Sequence, residues 1–341
     1  MSRKKMMPLL ILTAGVLLLS ILLVILTLAQ SQNENQGIAL FGVSTEEIDQ
    51  LSYSGSNVEV TLLKGTEGNW LMESDPTLPL DQEIVASLVE KIANLTAQRQ
   101  LQEEELAEIP APSETPLMVF EITAGDVTHT LTVDQANDVA DIYYAYNENG
   151  TMFTVTQSDV NGLCKEPRDL YKAQTLTDKT IDDVTAMQVG ELSFTQSDGT
   201  WTLTDDPTYA LDQDAVKKMT NTICGAQTDW TITSPEEDST YGLDTPDVTA
   251  TLTFTDGTTL TVRFGNLTEG DESLCYLASS GAATVVYEVN ADYKTAFAVT
   301  KETLHDEEAT AETAEEAEDT IVAEHPVGGW NDYADAEKQA E

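Results

Sequence analysis

Apolar positions change rhythm along this chain. From Met7 to Ala29 they run almost unbroken, interrupted only by Pro8, Thr13, Gly15, Ser20 and Thr27. About 20 apolar residues in a helix span the hydrocarbon core of a bilayer. Arg3, Lys4 and Lys5 precede the run, and nothing basic follows until Lys64. The pattern predicts a transmembrane anchor within residues 1–29, contacting the plasma membrane through residues 7–29. By the positive-inside rule the N-terminus is cytoplasmic and the bulk of the chain lies outside a single-pass cell-membrane span. The competing reading is a cleaved signal peptide ending at Thr27-Leu-Ala29, but its apolar core is only about 7–15 residues long. Residues 30–37 are polar and read as a tether.

Beyond the tether the rhythm becomes two, then 3.6, then two again. Val58-Glu-Val-Thr-Leu-Leu and Asn69-Trp-Leu-Met-Glu read as strands around a glycine-containing turn. Ile84, Val85, Leu88, Val89, Ile92 and Leu95 then mark one face of a helix running from Asp81 to about Ala97. Four more strands follow, around Leu117–Ile122, Thr128–Val133, Asp141–Tyr146 and Met152–Thr156, with a short helical segment over Val160–Tyr171. A second such series begins after it. Leu192–Thr195 and Thr200–Leu203 flank Ser197-Asp-Gly, a hairpin signal, and Val248–Thr255 and Thr258–Phe264 flank Asp256-Gly. Ser273–Leu277 and Thr284–Val289 complete the second sheet, and Asn290–Phe297 closes it.

The two series are copies. Asp75-Pro-Thr-Leu-Pro-Leu-Asp-Gln82 returns as Asp206-Pro-Thr-Tyr-Ala-Leu-Asp-Gln213, 131 positions later, and Trp70 and Trp201 keep the same offset. A period this long denotes a duplicated domain, since solenoid repeats run to about 20–50 residues. Asp-Pro ends the tryptophan strand, because proline fixes φ and lacks an N–H. Asp81 and Asp212 then stand where a helix N-cap belongs. The expected architecture is therefore α+β: a transmembrane helix, then two tandem repeats at 38–173 and 174–300. Each repeat is a mostly antiparallel sheet covered by one principal helix. Residues 301–341 are rich in Ala, Glu, Asp and Thr and read as a disordered acidic tail.

The second copy has a specific pattern. Gly199-Thr-Trp-Thr-Leu leads to Leu211-Asp-Gln, then Tyr241-Gly-Leu-Asp-Thr-Pro246, Phe264-Gly265, Cys275-Tyr-Leu and Val286-Tyr-Glu-Val. This resembles the domain of unknown function 4340 family of bacterial, mostly membrane-anchored proteins. The likeness covers roughly Trp70 to Phe297. It is weaker in the first copy, where Ile109-Pro-Ala replaces the Tyr-Gly-Leu element. The resemblance implies an accessory role beside an ABC-type transport system, with a transporter permease or another membrane complex as partner. It brings no catalytic residues.

Charge and chemistry narrow the function further. With 60 acidic and 16 basic residues the formal net charge is −44, which excludes nucleic acid as a partner, since binding it needs a basic footprint. The three cysteines, Cys164, Cys224 and Cys275, show no zinc spacing; Cys224 and Cys275 share a repeat and are the candidate disulfide pair. The three histidines, His129, His305 and His325, have no metal-ligand spacing. No GxSxG, HExxH, P-loop or GxGxxG is present. Asp212-Gln-Asp214 and Glu236-Glu-Asp238 lack the order of a calcium loop. No catalytic, cofactor-binding or metal-binding residue is assigned, and no cofactor is expected. The leading expectation is a non-enzymatic, extracytoplasmic accessory or binding protein. The alternatives are a carboxylate-dependent hydrolase acting on cell-wall polymers and an acidic structural spacer at the cell surface.

Overall fold

The structure, a computed structural model, describes residues 37–306 except Ser56, Glu108 and Pro110. Within them the chain forms two compact units, divided between Lys172 and Ala173.

The first unit opens with β1 (Ile38–Ala39), β2 (Gln50–Gly55), β3 (Val58–Lys64) and β4 (Trp70–Met72). Helix α1 (Gln82–Ala93) follows, then β5 (Thr96–Ala97), β6 (Arg99–Gln100) and the single turn α2 (Glu103–Leu106). The unit closes with β7 (Met118–Ala124), β8 (Val127–Asn137), β9 (Ile142–Asn147), β10 (Met152–Thr156) and α3 (Gln157–Val160). Its main sheet has the strand order β4-β3-β2-β7-β8-β9-β10-β6, with every pair antiparallel. The buried side of α1 is Val85, Leu88, Val89, Ile92 and Ala93.

The second unit repeats this plan. It runs through β11 (Val184–Val189), β12 (Leu192–Ser197), β13 (Thr200–Leu203), α4 (Gln213–Cys224) and β14 (Thr228–Ile232). Then come β15 (Val248–Phe254), β16 (Thr259–Thr268), β17 (Asp271–Ser279), β18 (Val286–Asn290) and α5 (Ala291–Thr295). The strand order β13-β12-β11-β15-β16-β17-β18-β14 is that of the first sheet, position for position. Val216, Met219, Thr220 and Ile223 form the buried side of α4.

Several expectations change. The α+β expectation gives way to a mostly antiparallel architecture of two eight-stranded sheets with few helices. Segments that carry no long apolar run supply the difference. β2 alternates Leu51 and Tyr53 inward among serines, and β14 buries Thr228 and Thr231. The expected membrane-spanning helix is also corrected: no helix among the described residues is long and apolar enough to cross a membrane. Helices α1 and α4, of 12 residues each, reach about 18 Å against about 30 Å of hydrocarbon. The stretch 7–29 lies outside the described residues, and the single-pass cell-membrane address drawn from it is withdrawn.

Three smaller differences concern two element ends and the cysteines. Helix α1 stops at Ala93 rather than near Ala97: Asn94 is its C-cap, and its backbone, at φ −92° and ψ 10°, has left the helical region. Leu95 then belongs to the extended chain that feeds β5. The ordered second unit continues past Thr300: Leu304 is 1 % exposed, and the Asp306 N–H donates to the Ala210 carbonyl at 2.9 Å. The rest of the expected acidic tail, 307–341, lies outside the described residues. Cys164, Cys224 and Cys275 are all free thiols, so the candidate Cys224–Cys275 pair is not formed.

Candidate binding site

The repeated motif is a joint between an edge strand and a helix. β4 and β13 are the outermost strands of their sheets and have a neighbour on one side only. On the open side a glutamine side chain stands in for the missing strand. The Trp70 N–H donates to Gln82 Oε1 at 2.7 Å, and Gln82 Nε2 donates to the Trp70 carbonyl at 3.0 Å. Gln213 makes the same pair with Trp201, at 2.8 and 2.9 Å. One residue earlier, Asp81 Oδ1 accepts the N–H groups of Glu83 and Ile84, and Asp212 Oδ1 those of Asp214 and Ala215. The motif is thus fully used in folding: cap, edge clamp and turn.

The family-like elements of the second copy serve the same end. The Tyr241 ring packs edge-on against Tyr276, with centroids 4.9 Å apart, and its hydroxyl accepts the Glu236 N–H. Arg263 donates to Asp238 at 2.8 Å and to the Leu243 carbonyl at 2.6 Å, tying the Tyr-Gly-Leu loop to β16. Gly265 lets that loop approach: a Cβ there would sit 2.1 Å from the Tyr241 carbonyl oxygen.

The residues weighed for chemistry do not converge. His129 faces Glu148 at 3.4 Å on the surface of the first sheet. The His305 ring packs on Tyr209, with centroids 5.1 Å apart, while His325 lies outside the described residues. Among the described residues no three His, Cys, Asp or Glu side chains are grouped to hold a metal ion. Burial pushes the Cys164 and Cys275 thiols up to about 11, away from nucleophile chemistry. Among the described residues, the carboxyl groups of Glu105, Glu148, Asp183, Asp206, Asp256 and Glu302 are held below the ordinary carboxylate range.

What the first unit does offer is a groove beside α1. Two concavities, of about 670 and 370 Å³, share a wall made by Lys91, Gly162, Leu163 and Lys165. The larger reaches Asn94, Thr96, Ser158 and Asn161; the smaller is more apolar and reaches Ile84 and Leu88. Ile84 is the one member of the predicted helix stripe that stays exposed, at 42 %. Gly162, at φ 79°, turns the chain from α3 into the wall in a conformation that side chains resist. The wall is held from behind: the Tyr53 hydroxyl donates to the Lys165 carbonyl at 2.8 Å, and the Tyr143 hydroxyl to Asn161 Oδ1 at 2.7 Å. Lys91 has no hydrogen-bond or ion-pair partner among the described residues. Lys165 has only a loose one, Asp169 at 4.0 Å. The size falls within the range of ligand pockets, about 300–1,000 Å³. Sequence reasoning passed over this place because no motif marks it. The legible signal was a lysine at 91 where the second copy has Thr222.

Two tandem segments of the chain, 70–200 and 201–340, match the model of a family described as Domain of unknown function (DUF4340). Each match begins on the tryptophan of an edge strand, the first residue of β4 and the second of β13, so the first two strands of each eight-stranded sheet along the chain lie before the start of the match. No curated protein and no solved structure matches the chain.

Proposed function

Because the chain belongs to the Domain of unknown function (DUF4340) family in two tandem copies, we propose that it is a non-enzymatic binding or accessory module. Its partner is a protein assembly, and an ABC-type transport system is the class that the resemblance implies. The groove beside α1 carries this reading. It is concave, of ligand-binding size, held from behind by two tyrosine hydroxyls, and lined by a lysine with no partner among the described residues. The carboxyl groups lend support from the other side. Among the described residues, Glu105, Asp183, Asp206 and Asp256 are engaged by donors that hold them ionised, as structural and surface carboxylates are.

Chemical crosslinking in intact cells, followed by affinity purification of the chain, tests the reading. Recovery of permease or ATPase subunits of one transport system is the expected result. Recovery of the chain alone, together with turnover of a cell-wall fragment that disappears in Asp159→Asn, would replace it with the hydrolase reading.

A further inference from the structure

The groove has a counterpart in the second copy, and the two places differ systematically. The copies can be aligned through their joints. Asp81 and Asp212 are both helix N-caps, which sets Ile84 against Ala215 and Lys91 against Thr222. At the closing segment Thr156 and Asn290 both precede a short helix, and the Leu170 and Leu304 carbonyls accept the N–H of Asp81 and Asp212 at 2.8 and 2.9 Å. That sets Asp159 against Tyr293, Leu163 against Phe297 and Lys165 against Val299. In the second copy Tyr293, Phe297 and Val299 pack on the hydrophobic core, and the Tyr293 hydroxyl accepts the Gln227 N–H at 3.5 Å. In the first copy the same positions hold a shorter carboxylate, a smaller aliphatic side chain and a lysine. In the second copy these three side chains are uncharged and pack on the core, and the concavity of about 310 Å³ that Phe297 and Val299 line opens toward Gly190, Val248 and Lys301 and takes in no residue of α4. In the first copy the place beside α1 is open and carries two ammonium groups with the Asp159 carboxylate.

We propose that the groove beside α1 binds a short extended segment of a partner protein in which an apolar side chain adjoins a carboxylate. This rests on the binding-module reading and names its site and ligand chemistry. The groove follows α1 from Glu83 to Asn94, about 16 Å at 1.5 Å per residue, which accommodates about five extended residues. Its apolar end, with Ile84, Leu88 and Leu163, suits an aliphatic or aromatic side chain. Its other end presents the amides of Asn94 and Asn161 and the hydroxyls of Thr96 and Ser158, which can pair with peptide N–H and C=O groups. Each concavity has one carboxylate of its own, Asp159 in the larger and Glu83 in the smaller, whereas Lys91 and Lys165 stand in both. The positive charge therefore marks the junction, where a ligand carboxylate would sit beside its apolar neighbour. On a chain of net charge −44, such a pair is also a local exception to a field that repels acidic segments.

The test uses the full chain and acetylated, amidated pentapeptide pools in which Leu, Val or Phe alternates with Asp or Glu. Matching pools carry Asn or Gln in place of the acids. The acidic pools are expected to be retained at least tenfold better than the amide pools. Retention should fall at least tenfold on Lys91→Glu/Lys165→Glu. It should fall as far on Asp159→Tyr, which installs the second copy's filler, and stay unchanged on Lys217→Glu, a lysine of α4 outside the groove. Equal retention of acid and amide pools, or an equal loss on Lys217→Glu, overturns the proposal. So does a chain ending at Asp306 that binds the acidic pools tenfold better, since the occupant would then be the chain's own acidic end. If the Lys91→Glu/Lys165→Glu chain still recovers its transport subunits, the groove assignment fails while the binding-module reading stands. If the wild-type chain recovers no partner, that reading fails as well.

Discussion

At the scale of single residues, side chains with two hydrogen-bonding functions set the geometry. Gln82 and Gln213 each satisfy both the N–H and the carbonyl of an edge tryptophan, which no aliphatic residue can do. Leaving those groups unpaired in a part-buried setting costs about 1–3 kcal/mol. Gln82→Ala and Gln213→Ala are each expected to lower stability by about that amount, read from urea denaturation, with Gln→Glu recovering little because it cannot donate. Asp256 sets a pH dependence. The Lys179 ammonium, 2.7 Å away, holds its carboxyl well below the usual carboxylate range, helped by the Thr258 hydroxyl and N–H. A depressed folded value means stabilisation that is complete above about pH 4, the ordinary value, and is lost as pH falls through the folded one. Asp256→Asn should therefore melt below the wild type at neutral pH, and the gap should narrow as the pH drops below about 4. A gap that is the same at every pH would assign the effect to something other than ionisation.

At the scale of elements, much of each sheet was legible and one inner strand of each was not. The strands around Met118–Ala124 and Val248–Phe254 alternate apolar and polar residues clearly, and glycine turns mark their ends. β2 and β11 lie between them and the hairpins at the sheet edge. β2 carries its inward apolar positions on Leu51 and Tyr53 among serine and glutamine. Burial there comes from neighbours that are distant in sequence, so local pattern says little. The groove was illegible for a related reason: Lys91 and Lys165 meet only once the closing segment folds back along α1. The duplication, by contrast, was plain, because caps and edge clamps demand particular residues at fixed spacing. The end of the second copy was set too early. Leu304 is buried beside Leu211, and its carbonyl receives the N–H of the α4 cap. Leu304→Ala is expected to cost about 2–5 kcal/mol, as deep leucine truncations do. A melting temperature within a degree of the wild type would show that residues 301–306 contribute nothing.

At the scale of the whole molecule, duplication supplies one frame twice and frees one copy to diverge. The second unit keeps its closing segment filled by Tyr293 and Phe297, while the first opens the same place into a groove with two lysines. Site-specific photocrosslinking tests that asymmetry most directly. A photoreactive phenylalanine analogue is placed at Ser87, which lines the groove, or at Lys218, its equivalent on α4, in the full chain in intact cells. The account predicts one discrete crosslinked partner from position 87, lost on Lys91→Glu/Lys165→Glu, and none of that partner from position 218. The same partner from both positions, or a crosslink from 87 that survives the double substitution, would contradict it.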